Sequence, residues 1–160
     1  KEKQPDNLGE FTVPVGKIEV TKEGTDVTLV TYGSTWRLVM EAAQELEKIG
    51  ISAEVIDIQS LIPFDLSHEI SESVKKTNRL VVIDEDVEGG ATAFILQQIL
   101  EKQKAFRYLD SDPLTISAEN HRAPYASDGD YFSKPSVDDM VEKIYGLFTE
   151  SNPEKFPKIY

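Results

Sequence analysis

The stretch Asn78–Leu100, NRLVVIDEDVEGGATAFILQQIL, decides the fold predicted for this chain. It begins with four consecutive apolar residues, Leu80–Ile83, which predict a strand buried on both faces, as in the centre of a parallel sheet. An acidic segment separates this strand from two glycines and a helical pattern. The segment holds four carboxylates within five residues: Asp84, Glu85, Asp86 and Glu88. Because loops at the carboxyl ends of parallel strands tend to carry function, this segment is the first candidate site.

Strand and helix patterns alternate on both sides of this stretch, which predicts a largely parallel sheet with helices on both faces. The predicted strands are Lys17–Val20, Val27–Tyr32, Ala53–Ile58, Leu80–Ile83 and Leu114–Ala118. The predicted helices are Trp36–Ile49, one from a cap at Asp65 or Ser67 to Lys76, Ala91–Lys102, and a last one that Ser136 begins. Asp139 stands three residues after Ser136, a spacing that resembles a capping box.

Three regions fall outside this alternation. Residues 1–14 are polar and rich in turn formers, which is typical of a linker between domains or of an extended arm. The globular domain is expected to cover residues 15–149, and residues 150–160, with two prolines, are expected to form an extended tail. Segment 119–134, ENHRAPYASDGDYFSK, is predicted to be a long irregular loop, and such loops in compact domains are often functional.

Aromatic residues late in the chain are candidates for a subunit interface. They are Tyr125, Tyr131, Phe132, Tyr145, Phe148, Phe156 and Tyr160. Core packing is the simpler explanation for Phe148, because it falls on the apolar stripe of the last predicted helix. The two aromatic residues of the tail are harder to bury within one domain.

The composition disfavours several classes of function. The 160 residues suffice for one domain with a real core, and no run of about 18 apolar residues predicts a membrane span. No signal peptide is visible, and the absence of cysteine removes disulfides, thiolate metal sites and cysteine nucleophiles. The net charge of -12, from 29 acidic and 17 basic residues, disfavours nucleic acid as a partner. Solubility alone is the simpler explanation of such a charge, and the alternative is a basic protein partner that the charge attracts by electrostatic steering.

The two histidines are the first candidates for acid–base catalysis. His68 lies at a predicted helix, and a single histidine there is more simply an ordinary surface or packed residue. His121 follows the last predicted strand, between Glu119 and Arg122, and a neighbouring carboxylate can hold an imidazole as an acid or base. No serine in a G-x-S-x-G elbow accompanies it, so a loop histidine without a catalytic role is the simpler interpretation.

The acidic segment is better interpreted as a recognition surface than as a metal or phosphate site. Its oxygen ligands would suit magnesium or calcium, but it lacks the ordered spacing of a calcium-binding loop. Gly89 and Gly90 before a helix could cradle a phosphate, yet the neighbouring carboxylates would repel an anion. Clustered carboxylates instead attract lysine and arginine and give fast, specific association. We therefore predict docking of a basic partner at Asp84, Glu85, Asp86 and Glu88.

Three segments of the chain resemble a known family. They are VPVGKIEVTKEGTDVTLVTYGSTW, then EVIDIQSLIPFD, then KKTNRLVVIDEDVEGG. Their order resembles the C-terminal domain of the beta subunit of 2-oxo-acid dehydrogenase complexes, in the component that decarboxylates with thiamine diphosphate. The resemblance covers Val13–Phe148, and the same domain occurs in transketolase and 1-deoxyxylulose-phosphate synthase.

The resemblance implies a three-layer α/β/α domain with a five-stranded, mostly parallel sheet and one antiparallel edge strand. It implies pyruvate or a branched-chain 2-oxo acid of the 2-oxoisovalerate type as substrate, with acyl transfer to lipoyl groups. Thiamine diphosphate and magnesium would be bound by other domains or subunits, and by none of the residues of this chain. This chain alone would then be inactive.

The implied role of the domain is assembly and docking. It would help to hold a homodimer of beta-type units together and would contact other domains or subunits of the same decarboxylating component. It would also contribute to the face that binds the basic subunit-binding domain of the acyltransferase, with Glu85 at the position of the family's acidic docking residue. The implied location is the bacterial cytoplasm or the mitochondrial matrix.

The chain departs from many relatives after its last strand. Where they carry R-V-x-G-x-D-x-P-x-P, this chain has TISAENHRAPYASDGDYFSKPS. We expect His121 and Arg122 to approach the active-site entrance of the whole enzyme. Two alternatives stay open: the C-terminal domain of a transketolase or 1-deoxyxylulose-phosphate synthase, and a free-standing α/β interaction module.

Overall fold

The computed structural model describes residues 6–122, 124–125 and 127–158, and its centre is a five-stranded mixed sheet. In chain order the strands are β1 Glu19–Lys22, β2 Val27–Thr31, β3 Ala53–Asp57, β4 Leu80–Val87 and β5 Leu114–Ala118. Their order across the sheet is β1-β3-β2-β4-β5. Strand β1 runs antiparallel to β3 at one edge, and the other neighbouring pairs are parallel. This arrangement confirms the expected sheet with one antiparallel edge strand.

The helices occupy both faces of the sheet. They are α1 Thr35–Lys48, α2 Glu69–Thr77, α3 Ala91–Gln97, α4 Ser127–Ser133 and α5 Val137–Ser151. Helix α3 continues as a π-helical turn, Gln98–Lys102, so the helix predicted over Ala91–Lys102 is present with a wider second half. A 3₁₀ turn, Ala105–Tyr108, comes before β5. No described helix combines the length and the apolar character needed to cross a lipid bilayer.

Side chains of β4 alternate between two apolar cores, one on each face of the sheet. Val81 and Ile83 pack in the core that α1 and α5 cover, whereas Leu80 and Val82 pack in the core that α2 and α3 cover. Removing one such side chain from water contributes about 1.5–3 kcal/mol. Four consecutive apolar residues therefore fit a central strand, and the three-layer α/β/α architecture is confirmed.

Two helices begin with the predicted capping chemistry. Before α5, the Ser136 hydroxyl accepts from the Asp139 backbone N–H at 3.2 Å, and the Asp139 carboxylate accepts from the Ser136 N–H at 2.9 Å. Burial acts to raise the pKa of the Asp139 carboxyl, but the hydrogen bonds that the Ser136 hydroxyl and backbone N–H donate to it, and then the charge of Lys143, lower this pKa below its usual value. Before α2, the buried carboxylate of Asp65, rather than Ser67, accepts from the first two helical N–H groups at 3.1 and 2.9 Å.

The structure corrects three segment boundaries. Strand β1 begins two residues later than predicted, at Glu19. Strand β4 continues beyond Ile83 to Val87, because Val87 pairs with Ala118 of β5 after an irregularity in the register. Segment 119–134 is not wholly irregular, since it contains α4. The predicted arm over residues 1–14 lies outside the described residues at positions 1–5.

The described part of the C-terminal tail is folded back rather than extended. Helix α5 ends at Ser151, and the Phe156 N–H donates to the Asn152 carbonyl at 2.9 Å. Phe156 is buried, and its ring centroid lies 5.9 Å from that of Tyr145 and 5.3 Å from that of Phe148. The two prolines suggested an extended tail, but burial of a large aromatic ring outweighs them. Residues 159–160 of the predicted tail lie outside the described residues.

Candidate docking edge

The four predicted docking carboxylates lie at the carboxyl end of β4, beside the carboxyl end of β2. In the sheet, β3 lies on one side of β2 and β4 lies on the other side. The connections that follow β2 and β3 therefore run in opposite directions across the sheet, and the strand order reverses beside β2. Such reversal points form a crevice in open parallel sheets. The crevice measures about 410 Å³, and its lining includes Tyr32, Ser34, Asp84, Glu85 and Lys134. We call Asp84, Glu85, Asp86 and Glu88 the acidic edge.

Asp84 is the one member of the acidic edge that is buried, with 2% of its surface exposed. It follows Leu80 and Val82 on the same face of β4, because the strand continues instead of ending at Ile83. Its carboxylate accepts from the Tyr32 hydroxyl at 2.9 Å and from the Glu85 backbone N–H at 2.7 Å. The expectation that Asp84 forms part of an exposed docking rim is therefore corrected: its contacts are internal.

The Tyr32 phenol titrates well above its usual range. Burial, then the hydrogen bond and charge of Asp84, and then the charges of Asp86 and Glu85 raise the pKa of Tyr32 from 10.0 to about 12. Tyr32 therefore stays a neutral hydrogen-bond donor over the physiological pH range. It fixes Asp84 and, through the adjacent backbone, the position from which Glu85 leaves the strand.

Glu85 points outward and is held by two contacts. The Ser34 hydroxyl donates to its carboxylate at 3.0 Å, and the Lys134 ammonium group lies 3.1 Å from it. The hydrogen bond from Lys134 is the largest cause that lowers the pKa of the Glu85 carboxyl, against an opposing effect of burial. Its side chain is 45% exposed, so Glu85 is charged, oriented and accessible to a partner.

Asp86 and Glu88 are exposed, and the glycines after them close the turn into α3. Gly89 has a φ of +80°, in the left-handed region that favours glycine. A Cβ at Gly90 would lie 2.5 Å from a carboxylate oxygen of Asp86. The glycine pair therefore has a structural reason to be present, which is to bring the acidic edge close to the start of α3.

Among the described residues, no three histidine, aspartate or glutamate side chains come together in a way that could hold a metal ion. His68 is exposed, just before α2. The ring of His121 is exposed too, with Nδ1 2.9 Å from the Arg122 carbonyl oxygen and its centroid 6.0 Å from that of Phe132. The described contacts thus join the His121 imidazole to a carbonyl and a ring rather than to the Glu119 carboxylate.

The segment around α4 presents aromatic and basic groups to solvent. The Arg122 guanidinium lies over the Tyr125 ring, 5.3 Å from its centroid. Tyr125, Tyr131 and Phe132 are 83%, 68% and 71% exposed, so these aromatics stay candidates for an interface. The approach of His121 and Arg122 to an active-site entrance stays a prediction.

Sequence reasoning missed the residues that orient the acidic edge. Tyr32 and Ser34 follow β2, the neighbour of β4 in the sheet, so the rule on strand-order reversal could have found them once the topology was assumed. Lys134 gave no such signal. It reaches Glu85 because the chain returns to the carboxyl end of β5, where the Glu119 N–H donates to the Ser133 carbonyl at 2.8 Å.

The chain belongs to the transketolase C-terminal domain family. The sequence profile of the family described as "Transketolase, C-terminal domain" matches residues 16–139, most of the chain. The described fold agrees with this family, since it has the expected five-stranded sheet with one antiparallel edge strand.

Two curated relatives of this chain are beta subunits of pyruvate dehydrogenase. The chain is 37% identical over 138 residues to the pyruvate dehydrogenase E1 component subunit beta of Rhizobium meliloti, covering 86% of this chain and 29% of that protein. It is 39% identical over 132 residues to the mitochondrial subunit beta-2 of that component from Oryza sativa, covering 82% and 34%. The chain thus spans about a third of the length of these relatives.

A solved structure gives an independent likeness. A chain described as a split gene transketolase, in an inactive beta4 tetramer, superposes with a TM-score of 0.68 at 26% sequence identity. The match covers 91% of this chain and 46% of the transketolase chain.

Proposed function

We propose that this chain is the C-terminal domain of the beta subunit in the decarboxylating component of a 2-oxo-acid dehydrogenase complex, with pyruvate as the substrate. The observation that carries the proposal is the 37–39% identity to pyruvate dehydrogenase beta subunits of a bacterium and a plant mitochondrion. The whole component would decarboxylate pyruvate oxidatively and transfer the acyl group to a lipoyl group. Its location would be the bacterial cytoplasm or the mitochondrial matrix.

The described residues do not fit a site for thiamine diphosphate and magnesium. They form no group of carboxylates or histidines that could hold the metal, and the carboxylates that line the switch-point crevice would repel a diphosphate. We therefore propose that other domains or subunits of the component bind the cofactor, and we expect the chain alone to be inactive. Its contribution would be assembly, as part of a homodimer of beta-type units, and docking.

The acidic edge supports docking of the basic subunit-binding domain of the acyltransferase. Glu85 is charged, half-exposed and already oriented by Ser34 and Lys134, so little side-chain freedom is lost when a partner binds. Lys134 shows that an ammonium group fits against this carboxylate. An arginine or lysine of the partner would replace or join it.

The test is a calorimetric titration of the intact decarboxylating component with the subunit-binding domain, comparing wild type with Glu85→Lys. We expect at least about tenfold weaker binding by the variant, because an attractive charge becomes a repulsive one. Glu101→Lys, an equal charge change on the α3 side of the sheet, is the matched control and should bind normally. Equal affinities for Glu85→Lys and wild type would remove the docking proposal. Turnover of 2-oxoisovalerate in preference to pyruvate would overturn the assigned substrate.

A transketolase is the second candidate, because the split gene transketolase matches 91% of this chain. A transketolase would move a two-carbon ketol unit between sugars and would need no acyltransferase partner. Assaying the intact protein for ketol transfer and for pyruvate decarboxylation distinguishes the two. Ketol transfer without any action on pyruvate would favour the second candidate.

A further inference from the structure

Helices α1 and α5 lie side by side on one face of the sheet and leave a groove between their outer sides. Its volume is about 690 Å³. Ile49, Val141 and Tyr145 give it an apolar surface, and Ile49 is 43% exposed there. We call this the α1–α5 groove. It shares no lining residue with the crevice at the acidic edge, so it is a second and separate surface.

Gly146 lines the groove from the interior of α5. Glycine is the least favourable helix residue apart from proline, so its presence in a helix calls for a reason. Its backbone gives none, because its φ is not in the left-handed region. Packing gives none either, because a Cβ built at Gly146 would meet no described atom within 4 Å. The absence of a methyl group at position 146 therefore leaves space in the groove.

Acidic side chains flank this glycine at helical spacing. Glu142 stands one turn before Gly146 and Glu150 one turn after it, and both line the groove. Neither forms an ion pair within the described part of the chain. Glu150 lies in the last turn of α5, where the helix dipole disfavours a carboxylate, and that turn has no basic residue to offset it. Lys158 also lines the groove but forms no ion pair with either carboxylate in the described part of the chain, so direct contacts leave both carboxylates unpaired.

We propose that the α1–α5 groove docks a basic amphipathic helix of a partner protein. The apolar side of that helix would cover Ile49 and Val141, with one large side chain seated over Gly146. Its lysines or arginines would pair with Glu142 and Glu150. The groove lining holds four carboxylates and one lysine, so a basic helix complements it better than the same acidic groove of a second copy would. The groove thus adds a docking surface to the one proposed at the acidic edge.

The test uses a fluorescent synthetic peptide of about 15 residues, stapled as a helix because isolated helices of this length are marginal. Its sequence places leucines on one face and lysines on the other, and a scrambled peptide of equal composition is the control. Binding to the intact protein is measured by anisotropy at low and moderate salt. We expect salt-sensitive binding of the amphipathic peptide and at least about tenfold weaker binding of the scrambled one.

Two variants locate the peptide. Gly146→Leu fills the groove without changing charge, and Glu142→Lys with Glu150→Lys reverses its charge; each should weaken binding about tenfold or more. Glu72→Lys with Glu101→Lys makes the same charge change on the other face of the sheet and should leave binding unchanged. Circular dichroism checks that every variant folds. If Gly146→Leu does not fold, Gly146→Ala takes its place in the binding measurement.

Three results would overturn the proposal. They are equal binding of the scrambled peptide, undiminished binding by the Gly146 variants, and an equal loss in the Glu72 and Glu101 control. Sedimentation of the intact protein tests whether a second copy of this chain occupies the groove instead. Self-association that Gly146→Leu abolishes would assign the groove to a second copy and would also overturn the proposal.

Discussion

The acidic edge and the α1–α5 groove are both negatively charged, but their carboxylates are held in different ways. At the edge, Asp84 binds Tyr32, and Glu85 binds Ser34 and Lys134. In the groove, Glu142 and Glu150 form no ion pair within the described part of the chain. Net charge alone does not distinguish the two surfaces, whereas their internal contacts do.

This difference predicts two kinds of binding. A partner at the edge must compete with Lys134 for Glu85, so the new ion pair partly replaces an existing one. The Glu85 carboxylate is already oriented, however, so little side-chain entropy is lost on binding. A partner in the groove adds charge pairs that did not exist and covers apolar surface as well. We therefore expect the edge to set the rate and specificity of association, and the groove to contribute more through burial.

The largest expected effect is on folding stability, from Asp84→Ala. The change leaves the Tyr32 hydroxyl and the Glu85 N–H without their acceptor, and hydrogen bonds to charged groups contribute about 1.5–3 kcal/mol each. Urea denaturation should show a loss of at least about 3 kcal/mol. Asp86→Ala removes an exposed carboxylate two residues further along β4 and should lower the free energy of unfolding by less than about 0.5 kcal/mol. Equal losses in the two variants would show that the buried and exposed carboxylates do not differ as described.

The next effect is a loss of stability at alkaline pH. Because the folded protein raises the pKa of Tyr32 to about 12 from 10.0, this residue stabilises the fold fully below pH 10 and loses that contribution between pH 10 and about 12. Tyr32→Phe should remove this part of the alkaline decline, as measured by denaturation midpoints across the range. An unchanged decline in the phenylalanine variant would mean that other groups cause it.

A smaller effect of opposite sign is expected in the groove. Gly146→Ala should raise the free energy of unfolding by about 0.5–1 kcal/mol, because the helix gains propensity and the new methyl group meets no neighbour. Thermal denaturation measures this change. A lower melting temperature would mean that Gly146 serves the packing of this chain, and the groove would lose its main argument.

The smallest effect concerns the charge state of Glu85. Lys134→Met removes the main cause that lowers the pKa of this carboxyl, so the pKa should return towards its ordinary value. Stability should change by less than about 1 kcal/mol, since the pair is largely exposed. Carbon-13 NMR titration of the side chain gives the pKa directly. An unaltered pKa would show that Ser34, not Lys134, holds the carboxylate charged.

The alternation of apolar runs with amphipathic helices was enough to predict the layers of this fold. Leu80–Ile83 became an interior strand of the sheet, and Ser136 began the last helix as its spacing from Asp139 indicated. The end of β4 could not be read from composition, because Asp84 and Asp86 disfavour a strand and only pairing with β5 extends it. Burial of Phe156 was missed for a similar reason, since its partners lie on a helix eight or more residues earlier.

The candidate site was predicted in part. The acidic residues are local in sequence and were found directly, but which of them faces solvent depends on where the strand stops. Tyr32 and Lys134 come from segments about fifty residues to either side of Asp84, and only the folded topology brings them to it. Orientation of a side chain by distant residues is the information that a local pattern does not contain.

Docking at the acidic edge is tested most directly by the association rate of the proposed decarboxylating component, kept intact, with the proposed partner, the basic subunit-binding domain, by stopped flow at several salt concentrations. If Glu85 steers docking, wild type should associate fast at low salt and slow steeply as salt rises. Glu85→Lys should associate at least about tenfold more slowly at low salt, with a flatter salt dependence and an unchanged melting temperature. Identical rates and salt dependences for the two proteins would contradict docking at the acidic edge.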